Sequence, residues 1–233
     1  MKFQLADKKP LKKRVFWTLV FTFVGITGFA GYYYGSIFSG HNPFLNLGEV
    51  VPGKIYRSGI LGRKDIEKLV DQYGIKTIIC IKGRESPEIK DLVRSSGLNL
   101  VVIKAWAEMP LEQKKLELIM KVLSEKPFRV SDYSELIVDW LGPDGDWVSL
   151  PGAFLIHCQM GADRTGFVVA IYRICAQGWE EKSARREMLR YFHLPQRYPR
   201  LWQYLRELNP QELCPALGFE YPPLAEGTKG EEK

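Results

Sequence analysis

Phe154-Leu155-Ile156-His157-Cys158-Gln159-Met160-Gly161-Ala162-Asp163-Arg164-Thr165-Gly166 reads as a buried strand, a tight bend and the first turn of a helix. Phe154 to Ile156 is a short apolar run entered from Pro151-Gly152, as a central strand would be. Behind the bend, Phe167 to Cys175 is apolar nearly all round and suits a helix packed inside a domain. Backbone N–H groups between a strand and a helix N-terminus form a concavity for anions, and the helix dipole adds to its positive potential.

The side chains fit the same purpose. Gly161 allows a tight turn without a Cβ in the way. Arg164 offers a planar fork that grips two oxygens of one phosphate. Cys158 stands at the mouth of the cradle, where positive potential favours thiolate, the nucleophilic form. Thr165 is placed to hydrogen-bond that sulfur when it leaves, and His157 to orient the bend from behind. The amides of Gln159, Met160, Gly161, Ala162, Asp163 and Arg164 complete the expected phosphate site.

His157-Cys158-x-x-Gly161-x-Asp163-Arg164-Thr165-Gly166 resembles the signature loop of the cysteine-dependent tyrosine and dual-specificity phosphatases, in their compact bacterial or atypical form. Val51-Pro52-Gly53-Lys54-Ile55-Tyr56-Arg57-Ser58-Gly59 resembles the opening segment of that subgroup, and the likeness runs from about Leu47 to about Asn209. It implies an α/β fold with a central, mostly parallel sheet flanked by helices. It further implies a phosphomonoester hydrolase working through a phosphocysteine, with Cys158 as nucleophile and Arg164 as clamp.

In the family, the loop that here is Lys104-Ala105-Trp106-Ala107-Glu108-Met109-Pro110 carries an Asp that protonates the leaving oxygen. This chain has none there, and the nearest acid is Glu108. Asp163 is the rival donor, because some lipid-phosphate members place an Asp just before the Arg; its other reading is a scaffold for loop amides. A catalytically inactive, membrane-tethered phosphate-binding module is the alternative to an enzyme. No metal or organic cofactor is expected, since the loop supplies the positive field that a metal supplies elsewhere.

The chain has 233 residues, 45% of them apolar, enough for one domain with appendages. Residues 1–14 are read as a basic cytoplasmic tail that contributes +5 of the net charge of +6, so the remainder is near neutral and no nucleic-acid partner is implied. Val15 to Phe38 lacks charge and is long enough to cross about 30 Å of hydrocarbon. We read 15–38 as an uncleaved transmembrane helix in preference to a signal peptide or core helix, making the bilayer a partner. The basic flank then places the catalytic domain outside the cytoplasm, in the periplasm of a Gram-negative source.

Residues 39–50 read as a linker, 51–210 as the catalytic domain and 211–233 as a disordered tail of Pro, Gly and charge. Alternating elements are expected: strands at 54–57, 75–81 and 98–103, and helices at 63–73, 87–95, 111–123, 180–192 and 196–208. The extra length between Lys126 and Pro151 reads as a solvated hairpin, the alternative being a lid that selects substrate. Its Asp-Gly pattern lacks the following ligands of a calcium loop. Cys80 and Cys175 read as buried free thiols, with a Cys80–Cys158 disulfide as a regulatory possibility. Phosphoproteins and membrane lipid or sugar phosphates both remain open as substrates.

Overall fold

The computed structural model describes residues 15–28 and 46–221, and the chain divides into two units, Met1–Pro43 and Phe44–Lys233. In the first unit, residues 15–28 form helix α1, in which the Thr22 and Thr27 hydroxyls donate to the carbonyls of Thr18 and Phe23 one turn earlier. The expected membrane-crossing helix over 15–38 is overturned, and with it the single-pass placement and the extracytoplasmic domain. Among the described residues no helix is long and apolar enough to cross a membrane. Residues 1–14 and 29–45 lie outside the described residues.

The second unit runs β1 (Gly48–Val51), β2 (Ile55–Ser58), α2 (Arg63–Tyr73), β3 (Thr77–Cys80), α3 (Pro87–Ser95), β4 (Asn99–Ile103) and α4 (Gln113–Leu123). It continues with β5 (Phe128–Arg129), β6 (Ile137–Leu141), β7 (Trp147–Val148), β8 (Phe154–His157), α5 (Arg164–Gln177), α6 (Glu181–Arg190), α7 (Pro199–Glu207) and α8 (Pro210–Ala216). The main sheet has the order β1-β2-β8-β3-β4-β6. Its centre, β2-β8-β3-β4, is parallel, and the edge strands β1 and β6 pair antiparallel, so the sheet is mixed.

Side chains alternate across the sheet and feed two cores. Ile79, Val101, Phe154 and Ile156 face the layer of α4 and α5, while Ile78, Leu100, Val102 and Leu155 face α2 and α3. β8 lies between β2 and β3, and all four of its residues are buried. It delivers the bend after His157 to the carboxyl end of the parallel strands, where open α/β sheets place their ligands.

Local signals set the helix ends. Ser86 caps α3 by accepting from Ile89 N at 3.3 Å, and Pro87 supplies the first helical residue. Pro199 likewise starts α7, three residues later than the periodicity suggests. The 126–151 segment is more than a surface hairpin. β5 and β7 do pair as one, but β6 extends the main sheet through β4.

One cysteine assignment is corrected: Cys175 of α5 and Cys214 of α8 form a disulfide, while among the described residues Cys80 is the buried free thiol expected and Cys158 is free as well. The tail is corrected with it. Pro210–Ala216 is helical, capped by Asn209, and buries Leu213, Cys214 and Leu217 against the α5 layer; residues 222–233 lie outside the described residues. Composition pointed to disorder, but a covalent tie and three buried side chains offset the ordering entropy.

The cross-link spans a sequence separation of 39. Cys214→Ser should lower unfolding stability by about 3–4 kcal/mol in guanidinium titrations. Reductant should bring the wild type to the same midpoint and leave the variant unmoved.

Candidate active site

The bend from Cys158 to Asp163 is held by its carbonyls. Ile60 N donates to Gln159 O at 2.9 Å, Asn46 Nδ2 to Met160 O at 3.1 Å and Arg57 Nη2 to Gly161 O at 2.6 Å. Across a planar trans peptide a carbonyl and the next N–H point opposite ways. With three carbonyls turned toward the β1–β2 side, the N–H groups of Met160, Gly161 and Ala162 face into the bend. α5 begins directly at Arg164, so its uncapped first turn adds its dipole there.

Gly161 is required twice over. Its φ is +68°, and a Cβ at this position would lie 2.6 Å from backbone atoms of Ser58 and Gly59. Arg57, in β2, is fully buried and stacks at 3.7 Å on the Tyr191 ring. Burial lowers its guanidinium to about 10, and the charges of Tyr191, Glu187 and Cys158 oppose that shift; it remains a cation at neutral pH.

Cys158 is 2% exposed and therefore forms the floor of the bend, not its mouth as the sequence suggests. Preceding it, His157 is buried with Nε2 2.9 Å from Glu85 Oε2. Glu85 Oε1 accepts from Lys82 Nζ at 3.1 Å and from Ser86 N at 2.9 Å. Burial pushes the Glu85 carboxyl up, but the hydrogen bond and charge of His157, the Ser86 amide and Lys82 outweigh it and hold it at about 2. The Cys80 thiol, driven by burial and then by the charge of Glu85, rises to about 12.

Cys80, Glu85 and His157 bring potential ligand atoms within 4.8 Å of one another. A protonated thiol and the Lys82 ammonium make this a poor cation site and a good support for His157.

At the far end of the bend, Arg164 Nη1 donates to Ala105 O at 3.1 Å, tying the guanidinium to the β4–α4 loop, while its Nε is buried without a partner among the described residues. Thr165 is fully buried and its hydroxyl also lacks a hydrogen-bond partner. Asp163 neither caps α5 nor bonds loop amides in the way its scaffold reading requires. Its Oδ1 lies 2.7 Å from Nδ1 of buried His193.

Glu108 is exposed on the β4–α4 loop, beside exposed Trp106 and Met109. In the 126–151 segment, Asp146 accepts from Ser131 N at 2.8 Å, a bond within the segment itself. The sequence reading missed Asn46, Arg57, Glu85 and His193. Only Arg57 carried a signal, as a cation within a four-residue buried strand.

A model described as the tyrosine phosphatase family matches residues 40–182. The dual specificity protein phosphatase TpbA of Pseudomonas aeruginosa (strain UCBPP-PA14) is 49% identical over 39 residues, which are 17% of this chain and 18% of that protein. The aligned stretch thus spans under a fifth of that relative's length. The crystal structure of P. aeruginosa TpbA matches with a TM-score of 0.56 at 20% identity, covering 76% of this chain and 93% of that one. The catalytic core of the PP-IP phosphatase Siw14 from S. cerevisiae, in complex with citrate, matches at 0.55 and 18%, covering 76% and 93%. At these identities the two structures show a shared fold.

Two outcomes are expected. Gly161→Ala should weaken binding of inorganic phosphate at least about tenfold by calorimetry, because its Cβ meets backbone that cannot yield. Because the Glu85 carboxyl is depressed from 4.5 to about 2, its stabilisation is full above about pH 4.5 and lost as pH falls toward 2. Glu85→Gln should flatten the acid limb of a stability-versus-pH curve in that window.

Proposed function

Since the chain belongs to the tyrosine phosphatase family, we propose that it hydrolyses phosphomonoesters through a phosphocysteine on Cys158, with phosphotyrosine as the preferred ester. The observation that carries the reading is the set of loop carbonyls committed to Ile60, Asn46 and Arg57, which leaves the loop amides for an oxyanion. Amides fixed in advance stabilise developing charge without reorganising as the reaction proceeds.

In this mechanism the ester phosphate sits above Cys158 with its equatorial oxygens on the amides of residues 159–164. The Arg164 guanidinium, oriented by Ala105 O through Nη1, presents its unpartnered Nε to the same oxygens. The sulfur attacks phosphorus in line as the bond to the leaving oxygen breaks, and Asp163 protonates that oxygen. The Asp163 carboxylate then takes a proton from water as it attacks the phosphocysteine, and the Thr165 hydroxyl donates to the departing sulfur. Fully buried, with no other partner for its hydroxyl, Thr165 suits that task. Glu108 is set aside as donor because it is solvated on the outer loop.

Two further features favour an aryl ester. Trp106 is 63% exposed next to Ala105, and Met160 is 58% exposed within the loop, so apolar surface adjoins the phosphate site on two elements. A second structure of TpbA holds phosphotyrosine. Phosphoserine peptides, lipid phosphates and sugar phosphates lack an aromatic ring for this surface to cover and are expected to be poorer substrates.

Cys158→Ser should abolish p-nitrophenyl phosphate hydrolysis by at least about 10³-fold. Undiminished turnover in the variant would remove the phosphocysteine, whereas none in the wild type would replace the enzyme with a binding module. Asp163→Asn should slow an alkyl phosphate by about 10²-fold and the aryl phosphate, whose leaving group needs little protonation, by less than about tenfold.

A further inference from the structure

Asp163 has an unusual partner for a residue inside a phosphate loop. His193 lies 30 positions downstream in the α6–α7 connection, and its side chain is fully buried. Its ring stacks with Tyr198 at 6.4 Å and with Trp202 at 5.9 Å between centroids, and its backbone N–H donates to Met188 O at 3.1 Å. The residue before it, Phe192, has φ +63°, a conformation unfavourable to a bulky side chain, and is itself exposed. The connection accepts that strain where it delivers the imidazole to Asp163.

The other ring nitrogen makes the point sharper. Nε2 of His193 is buried with no hydrogen-bond partner among the described residues, a deficit of the kind that costs roughly 1–3 kcal/mol. A phenylalanine would stack on the same two rings and bury no such atom. Packing alone therefore disfavours histidine here. What the imidazole adds is Nδ1, and Nδ1 meets Asp163 Oδ1.

We propose that His193 is a positioning residue for proton transfer, its Nδ1–H holding Asp163 Oδ1 so that Oδ2 is aimed at the leaving oxygen. The inference rests on Asp163 as the donor. The proton that moves is the one on Asp163 Oδ2, which passes to the leaving oxygen; His193 keeps its own. The carboxylate so formed retains the Nδ1–H···Oδ1 bond, which strengthens as the acceptor becomes charged. Arg185 lies over the Trp202 ring and Arg197 over the Tyr198 ring, so each of these cations has an aromatic partner, and Nδ1 is paired with Asp163.

The test uses the full chain with His193→Phe, His193→Asn, Asp163→Asn and the double variant Asp163→Asn/His193→Phe, each assayed on an alkyl and an aryl phosphate. His193→Phe should melt within a few degrees of the wild type, yet slow alkyl-phosphate kcat by about tenfold to a hundredfold, with a much smaller loss on the aryl ester. His193→Asn, whose amide places a donor near the Nδ1 position, should recover most of that loss. In the Asp163→Asn background, His193→Phe should add almost nothing.

If Asp163→Asn is selective for the alkyl ester but His193→Phe slows both esters alike, or its effect multiplies with that of Asp163→Asn, the positioning role fails and the donor stands. If Asp163→Asn itself is unselective, the donor assignment falls and takes this inference with it. Should His193→Phe prove unstable, His193→Asn decides alone: aryl-to-alkyl selectivity near that of Asp163→Asn in a folded variant would overturn the proposal.

Discussion

The bond from Arg57 to Gly161 O is the constraint from which the rest of the site follows. A fully buried guanidinium is expensive, and among the described residues only Nη2 has a hydrogen-bond acceptor; Nε and Nη1 have none. The Tyr191 ring stacked on it recovers part of that cost through the ring's negative face. In return the structure has a fixed cation directly behind the loop, where it turns a carbonyl outward and adds to the potential felt at Cys158. Gly161 is the other half of the arrangement, because only a residue without a Cβ lets the loop backbone come this close to β2.

Two histidine–carboxylate pairs grip the bend at its two ends. His157, just before the nucleophile, is set against Glu85, which is itself neutralised by Lys82. Asp163, just before the guanidinium, is set against His193. The first pair is wholly buried beneath the loop, and its carboxyl is strongly stabilised as an anion. The second retains some exposure at the carboxylate, 13% of the side chain, and a carboxyl group that touches solvent and loop alike is the one suited to exchange a proton.

Helix α5 connects the site to the stability of the domain. Its first residue is Arg164, its middle fills the larger core, and near its end Arg173 forms a buried two-pronged pair with Glu187 of α6 and donates to Val50 O of β1. Cys175 in its last turn is bonded to α8. A helix clamped along its length cannot shift its first turn freely, and so holds the loop amides and Arg164 in register with β8.

The strand–bend–helix around Cys158, the parallel central strands and the boundaries of α2 and α3 were legible in the residues alone. Periodicity, caps and turn residues act over a few positions, and the nucleophile and clamp lie within one short stretch. The reading failed where distance in sequence mattered. The span expected over 15–38 rested on composition, while among the described residues no helix is long and apolar enough to cross a membrane. The Cys175–Cys214 bond, the α8 helix it secures and the place of β6 at the sheet edge depend on segments brought together by folding. So do Asn46, Arg57, Glu85 and His193, between 73 and 112 residues from Cys158 in the cases of Asn46, Arg57 and Glu85 on one side and 35 on the other for His193. A linear pattern names the groups that react, but only the packed chain selects the groups that aim them, because orientation is set by neighbours in space.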